Sequence, residues 1–201
     1  MAIKGLSIPI CGAYSATGTT VTYSEPYVAD KAVEYGISWT TSDNNPFYAD
    51  NGIAENDKST FQSGELTLQT ADLPQELSLK ILGLKEATFS YDTSKQADEA
   101  VYDDDLKSPY LGFGIIELHQ INDVDTYRAV FLPKIYFNIP EEAATTKGES
   151  VEWQTREITG VIMRSDQVDS NYKHPWMIDA WFDSEDEAKA YLMAKCGQTQ
   201  G

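Results

Sequence analysis

Apolar and polar residues alternate one by one over several separate stretches of this chain, and that period of two restricts its fold more than any other feature. From Glu65 to Gln69 the alternation is clean, and Phe61, Gly64, Leu66 and Leu68 sit among Gln62, Ser63, Glu65, Thr67 and Gln69. Successive strand side chains point to opposite faces, so this stretch describes a strand in a sheet that is wet on one side. Ala32 to Thr41 does the same, with Val33, Tyr35, Ile37 and Trp39 on one face and Glu34, Gly36, Ser38 and Thr40 on the other. Glu149 to Arg164 is the longest such run and places Val151, Trp153, Thr155, Glu157, Thr159, Val161 and Met163 together. It exceeds the usual strand length of roughly 3–10 residues, and Gly160 marks a bend or bulge within it. Tyr110 to Gln120 and Thr126 to Asn138 flank the turn INDVD as a hairpin. The segment AVFLPKIYF is apolar on both faces and should be covered on both, by its own core and by either a partner subunit or a helix of the same chain; Pro133, lacking a backbone donor, belongs at an edge or a bulge. Glu86 to Tyr91 and Trp176 to Phe182 add two short strands. The chain therefore reads as one mainly β domain over residues 1–201, a sandwich or barrel.

Two helices interrupt the strands. In the first, Asp72 is the expected N-cap, Pro74 fits the first turn, Gln75 stands three residues after the cap, and Gly83 can close the helix. Leu73, Leu77 and Ile81 make its apolar stripe. In the second, Ser184 and Glu187 form a capping box, Glu185 and Asp186 suit the positive first turn, and Ala188, Tyr191 and Leu192 face inward. This helix is expected on the outside of the sheet.

Three regions read as irregular. Residues 1–31 are rich in Gly, Thr and Ser, allow short extended pieces after a poorly ordered start, and are expected to be either an arm that reaches a neighbour or a fraying terminus. Residues 42–59 form an extended loop whose Asp, Asn, Glu and Gly favour turns. Residues 92–108 form an acidic loop in which Asp98, Glu99, Asp103, Asp104 and Asp105 gather without a base. Aspartate runs can attract calcium, but the turn glycine and closing glutamate of an EF-hand are missing, and a solvated loop is the other reading.

Charge and motifs exclude more than they assign. With 15 basic and 32 acidic residues the formal net charge is −17. Nucleic-acid binding needs Lys and Arg to displace counterions, and an anionic membrane needs them too, so neither partner is expected. Acidity also simply favours solubility. Cys11 and Cys196 have no metal-ligand spacing and are expected as free thiols of a cytosolic product. The start MAIKGLSIPICGAYS has no basic stretch before an apolar run, so no leader is expected, and no window approaches the ~18 apolar residues of a membrane span. His119 and His174 share no zinc-binding frame, and no nucleophile elbow or phosphate loop is present. Gly112 and Gly114 fall inside a strand, where bulging or close backbone approach is their expected role. No enzyme and no cofactor is expected. A sugar-binding β-sandwich with exposed aromatic platforms is the rival class, although Trp39, Trp153, Trp176 and Trp181 all lie on alternating faces that suit a core.

The order F-Y-A-D-N … E … G-E-L-T-L … L-P … I-L-G over Phe47 to Gly83 resembles the major tail proteins, or tail tube proteins, of long-tailed, non-contractile phages of Gram-positive bacteria. The resemblance covers most of the chain and is weakest near residue 100 and in the C-terminal helix. It implies a β-rich subunit that assembles into stacked hexameric rings, forming a tube with an acidic bore through which DNA slides. It implies as partners the chain itself, a tape measure protein, a tail terminator and a distal tail protein, and as location the virion after assembly in the host cytoplasm. The expected contacts between rings are the 1–31 arm, the loop residues Phe47, Tyr48, Asp50, Asn51, Glu55 and Asp57, and the acidic loop from Asp98 to Asp105. A distal-tail or baseplate ring component of related fold is the alternative within the same family of structures.

Overall fold

The N-terminal segment, expected as an arm or a frayed end, supplies the longest strand and a second that pairs with it. A computed structural model describes residues 2–29, 31–49, 52–71, 74–141 and 155–198. β1 (Ala2–Thr17) turns at Gly18 and Thr19 into β2 (Thr20–Val28). The Thr, Val and Tyr of this stretch are strand formers, a preference that outweighs its small residues. Burial settles the matter: Ile10 and Cys11 are inside, and β1 pairs along most of its length with β9 (Leu111–Ile121).

β3 (Ala32–Thr41) and β6 (Phe61–Thr70) occupy the expected ranges and pair antiparallel. β9 joins β10 (Val124–Phe137) through Asn122 and Asp123, both at positive φ, as a two-residue hairpin turn requires. β11 (Arg156–Ile162) covers the second half of the expected long strand, and the segment from Glu149 to Gln154 lies outside the described residues. The sheet order is β2-β1-β9-β10-β11-β6-β3. β10 is long enough for two partners along one edge: β11 at Ile135–Phe137 and the short β12 (Ile178–Phe182) at Tyr127–Phe131.

Pro133 sits in a bulge, as its missing donor demands; the β9–β10 register shifts between Leu132 and Ile135. The extra residue changes which side chains face in. Val130 and Leu132 before the bulge and Ile135 and Phe137 after it all reach the same core. The sheet curls without closing into a barrel, leaving β2 and β3 as its margins. A hydrogen bond from the Tyr35 hydroxyl on β3 to Glu117 on β9 spans that curl.

Each face of the curl is covered. On the inner side, α1 (Gln75–Leu82) inserts Leu77, Ile81 and Leu82 among Leu68, Phe113, Phe137 and Ile158. Pro74 takes the N-cap position with no side-chain cap, whereas Asp72, the expected cap, lies outside the described residues together with Leu73. Gly83 closes this helix at φ 70°, donating its N–H to the Leu79 carbonyl. On the outer side, α2 (Glu185–Lys195) starts at Ser184, whose hydroxyl accepts from the Glu187 N–H, and buries Ala188 and Leu192 against Ile10, Ile116, Ala129 and Phe131. Leu192 lies directly over Gly114, where a Cβ would meet it at 2.8 Å. Each fully buried Leu, Ile or Phe here contributes about 1.5–3 kcal/mol.

Two hairpins stand apart from the main sheet. Among the described residues β4 (Asn45–Ala49) pairs only with β5 (Gly52–Asp57), and β7 (Lys85–Asp92) only with β8 (Lys95–Val101). β4, β5 and β8 lie where loops were expected, whereas β7 falls within one residue of the strand expected at Glu86 to Tyr91. Polar composition disguised β8, because a strand exposed along most of its length shows no apolar alternation.

Candidate assembly interface

β7 is exposed at every position, and β8 is exposed from Lys95 to Glu99. Phe89 and Tyr91 are 56% and 60% exposed, and Phe47 on β4 is 64% exposed. A two-stranded ribbon with both faces in water is marginal at best by itself. Its ladder hydrogen bonds compete with water, and its aromatic side chains gain nothing from burial.

The expected contact residues map unevenly onto these ribbons. Phe47 lies on β4; Glu55 and Asp57 lie exposed on β5. Tyr48 is in β4 by its backbone, and Asp50 and Asn51 lie outside the described residues. The acidic group is split between two settings, which corrects the single loop expected for it. Asp98 and Glu99 are strand residues of β8, and Asp103, Asp104 and Asp105 sit in the turn that follows. Nor is the group without a base, since Lys85 at the start of β7 pairs with both Asp103 and Asp105. The Lys85 hydrogen bond holds the Asp103 carboxyl below its ordinary value. Among the described residues no group of three or more His, Cys, Asp or Glu is placed to hold a metal ion.

A cleft of about 700 Å³ opens at the C-terminal end of β3, and no sequence pattern announced it. Its floor is Phe61, the first residue of β6. Trp176 stacks on Phe61 at 4.7 Å with the rings nearly parallel, and Trp39 meets it edge-on at 5.7 Å. Gly64, the cross-strand partner of Trp39, makes room for the indole: a Cβ there would lie 2.7 Å from it. Arg164 lies over Phe61 and donates to its backbone carbonyl, and Lys173 and His174 complete the rim. Trp39 and Trp176 remain 41% and 40% exposed. That overturns the expectation of a core position for the tryptophans. Alternation survives on β3, but a bulge at Val33 and the open margin leave its end uncovered; Trp153 lies outside the described residues.

Titratable groups inside the molecule hold it together. Glu117, 3% exposed, accepts hydrogen bonds from Tyr35, from His119 Nε2 at 2.8 Å and from Arg128 at 3.2 Å. Arg128 also reaches Asp179 at 2.9 Å, and Trp181 covers the His119 ring at 4.9 Å. Burial pushes the Glu117 carboxyl up, but the Tyr35 and His119 hydrogen bonds and the Arg128 guanidinium outweigh it, so the group sits below its ordinary value. Burial and the bond to Glu117 raise the Tyr35 hydroxyl. The network joins β3, β9, β10 and β12. His119 was expected only as a strand residue, and nothing in sequence linked it to Tyr35 more than eighty positions away. A second cluster holds Lys134 against Asp166 at 2.6 Å, between the rings of Tyr14 and Tyr110. Cys11 and Cys196 are free and buried. Burial pushes the Cys11 thiol far up and the Cys196 thiol to about 12.

No protein-family model matches the chain, and no curated protein matches it. Among the described residues no helix is long and apolar enough to cross a membrane.

Proposed function

We propose that this chain is the tube subunit of a long, non-contractile phage tail, assembling into hexameric rings that stack and conduct DNA during ejection. The observation that carries the reading is the β7–β8 ribbon, folded yet exposed on both faces, because such a ribbon acquires burial only from another molecule. The open margins β2 and β3 support it, since a ring of copies leaves no free sheet edge. The resemblance over Phe47 to Gly83 supplies the family. On this reading the tape measure, tail terminator and distal tail proteins are the other partners, and the virion is the final location. The net charge of −17 then serves transport: carboxylates along a bore repel phosphate, and DNA slides without adhering. A distal-tail or baseplate ring subunit would share these features.

The exposed Trp39 and Trp176 favour one further reading, a sugar-binding module with aromatic platforms. Self-association separates the two. Negative-stain electron microscopy of concentrated protein, beside its mass in dilute solution, is expected to show rings or hollow tubes that dissociate on dilution. Monomers at every concentration, together with binding to a polysaccharide panel, would replace the tube with the module.

A further inference from the structure

The aromatic cleft and the acidic ribbon have complementary chemistry, although they lie on different parts of the chain. Among the described residues the cleft is lined by Arg164, Lys173 and His174 and by no carboxylate, in a chain where acids outnumber bases 32 to 15. Its volume of about 700 Å³ lies within the roughly 300–1,000 Å³ of ordinary binding clefts. Two half-exposed indoles, one braced on Phe61 and the other seated over Gly64, offer rigid apolar walls. Aromatic residues with a few basic ones are the composition of an interface centre.

The β7–β8 ribbon presents the opposite set. Phe89 is paired across the ladder with Ala97, Ala87 with Glu99 and Lys85 with Val101, so one face carries an aromatic ring, small residues, an acid and, at its base, a lysine that Asp103 engages. Asp98 lies on the other face, and Asp92 and Tyr91 stand near the tip. Within one chain, the ribbon leans on α1, where the Gln75 amide donates to the Asp98 carbonyl.

We infer that the Trp39–Trp176 cleft is the socket for the β7–β8 ribbon of a second copy of this chain. The inference rests on the assembly reading above and names the surfaces it uses. Phe89 enters between the indoles, and Glu99 meets Lys173 and Arg164 at the rim. Socket and ribbon are different surfaces, so the contact is heterologous and leaves each copy one socket and one ribbon to engage further copies. Charge supplies the selectivity. The ribbon's four acids, Glu86, Asp92, Asp98 and Glu99, outnumber its lysines, Lys85 and Lys95, so a basic rim attracts it more than the rest of so acidic a surface does.

The test is a charge exchange in the full chain, using exposed side chains. Lys173→Glu and Glu99→Lys are made singly and together, with circular-dichroism melting as the check on folding and sedimentation velocity as the readout. Each single variant is expected to weaken self-association by at least about tenfold, because a like-charge contact replaces an attractive one. The double variant recovers it. An equimolar mixture of the two single variants recovers it too, since each ribbon then finds a socket of opposite charge. Wild-type protein that associates, with both single variants associating equally well, overturns the socket and leaves the assembly reading standing. Wild-type protein that stays monomeric overturns both. Tryptophan quenching by a polysaccharide, lost in Trp176→Ala and accompanied by unaltered association of the charge variants, gives the cleft to a sugar instead.

Discussion

The β9–β10 hairpin and the β7–β8 ribbon are both antiparallel pairs in one chain, yet they owe their stability to different sources. β9–β10 has α1 on one face and α2 on the other, with Phe113, Ile115, Val130 and Phe131 at 0–1% exposure. β7–β8 has water on both except at its base, where Ala100 packs against the core. Burial of apolar surface is the main favourable term in folding, so the first hairpin is held by its own chain. The ribbon has a ladder and little else. A hairpin kept in that condition is useful when something outside the chain completes it, which is why the two pairs differ in function as well as in stability.

That contrast can be broken at its strong end first. Phe131→Ala is expected to destabilise the protein by about 3–5 kcal/mol, read from urea unfolding, because it leaves a cavity between β10 and α2. Glu117→Ala strands Arg128 and His119 without their shared acceptor and is expected to cost about 3 kcal/mol. Acid probes the same network. Glu117 in the folded chain sits below its ordinary 4.5, so its contribution is complete above that pH and is lost as pH falls through the lowered folded value. The melting temperature of wild type should therefore drop steeply below about pH 4.5, and Glu117→Gln should start lower and fall less. Loss of acid sensitivity equal in both proteins would move the linkage to another carboxylate.

Gly64→Ala is a middle case. A methyl group displaces the Trp39 indole, and a cost of about 1–3 kcal/mol is expected with a red shift of tryptophan emission. The weak end of the contrast is Phe89→Ser, expected within about 0.5 kcal/mol of wild type in the dilute monomer. Hydrogen exchange sharpens the point: β7 and β8 amides should exchange quickly in the monomer and slowly in any assembly, while β9 and β10 amides stay protected in both. Strong protection of β7–β8 in the monomer would erase the distinction.

Residues buried on one side by their own chain announced themselves. β3 and β6 fall at the expected positions, β9, β10 and β12 within a few residues of theirs, and the Pro133 bulge follows from a missing N–H. Ser184, Glu187 and Gly83 marked helix ends for local hydrogen-bonding reasons that need no distant partner. The 1–31 segment misled because small residues lowered its apparent propensity, whereas pairing of β1 with β9 overrode it. The 42–59 and 92–108 regions misled for the reverse reason. β8 is exposed from Lys95 to Glu99, and with so little burial there is no alternation to see, although β7, just as exposed, falls where a strand was expected.

By itself, then, the amino-acid order determined a mainly β chain, most of its central strands, the ends of its helices and its acidic balance. These depend on period, backbone chemistry and charge, which are local or additive. Only the tertiary structure decided that the sheet curls without closing, that Tyr35 reaches Glu117, and that Trp39, Phe61 and Trp176 meet beside Arg164 and Lys173. Those contacts join residues from about twenty to well over a hundred positions apart. No local pattern encodes such a meeting, because curl and bulge, which set it, are properties of the whole sheet.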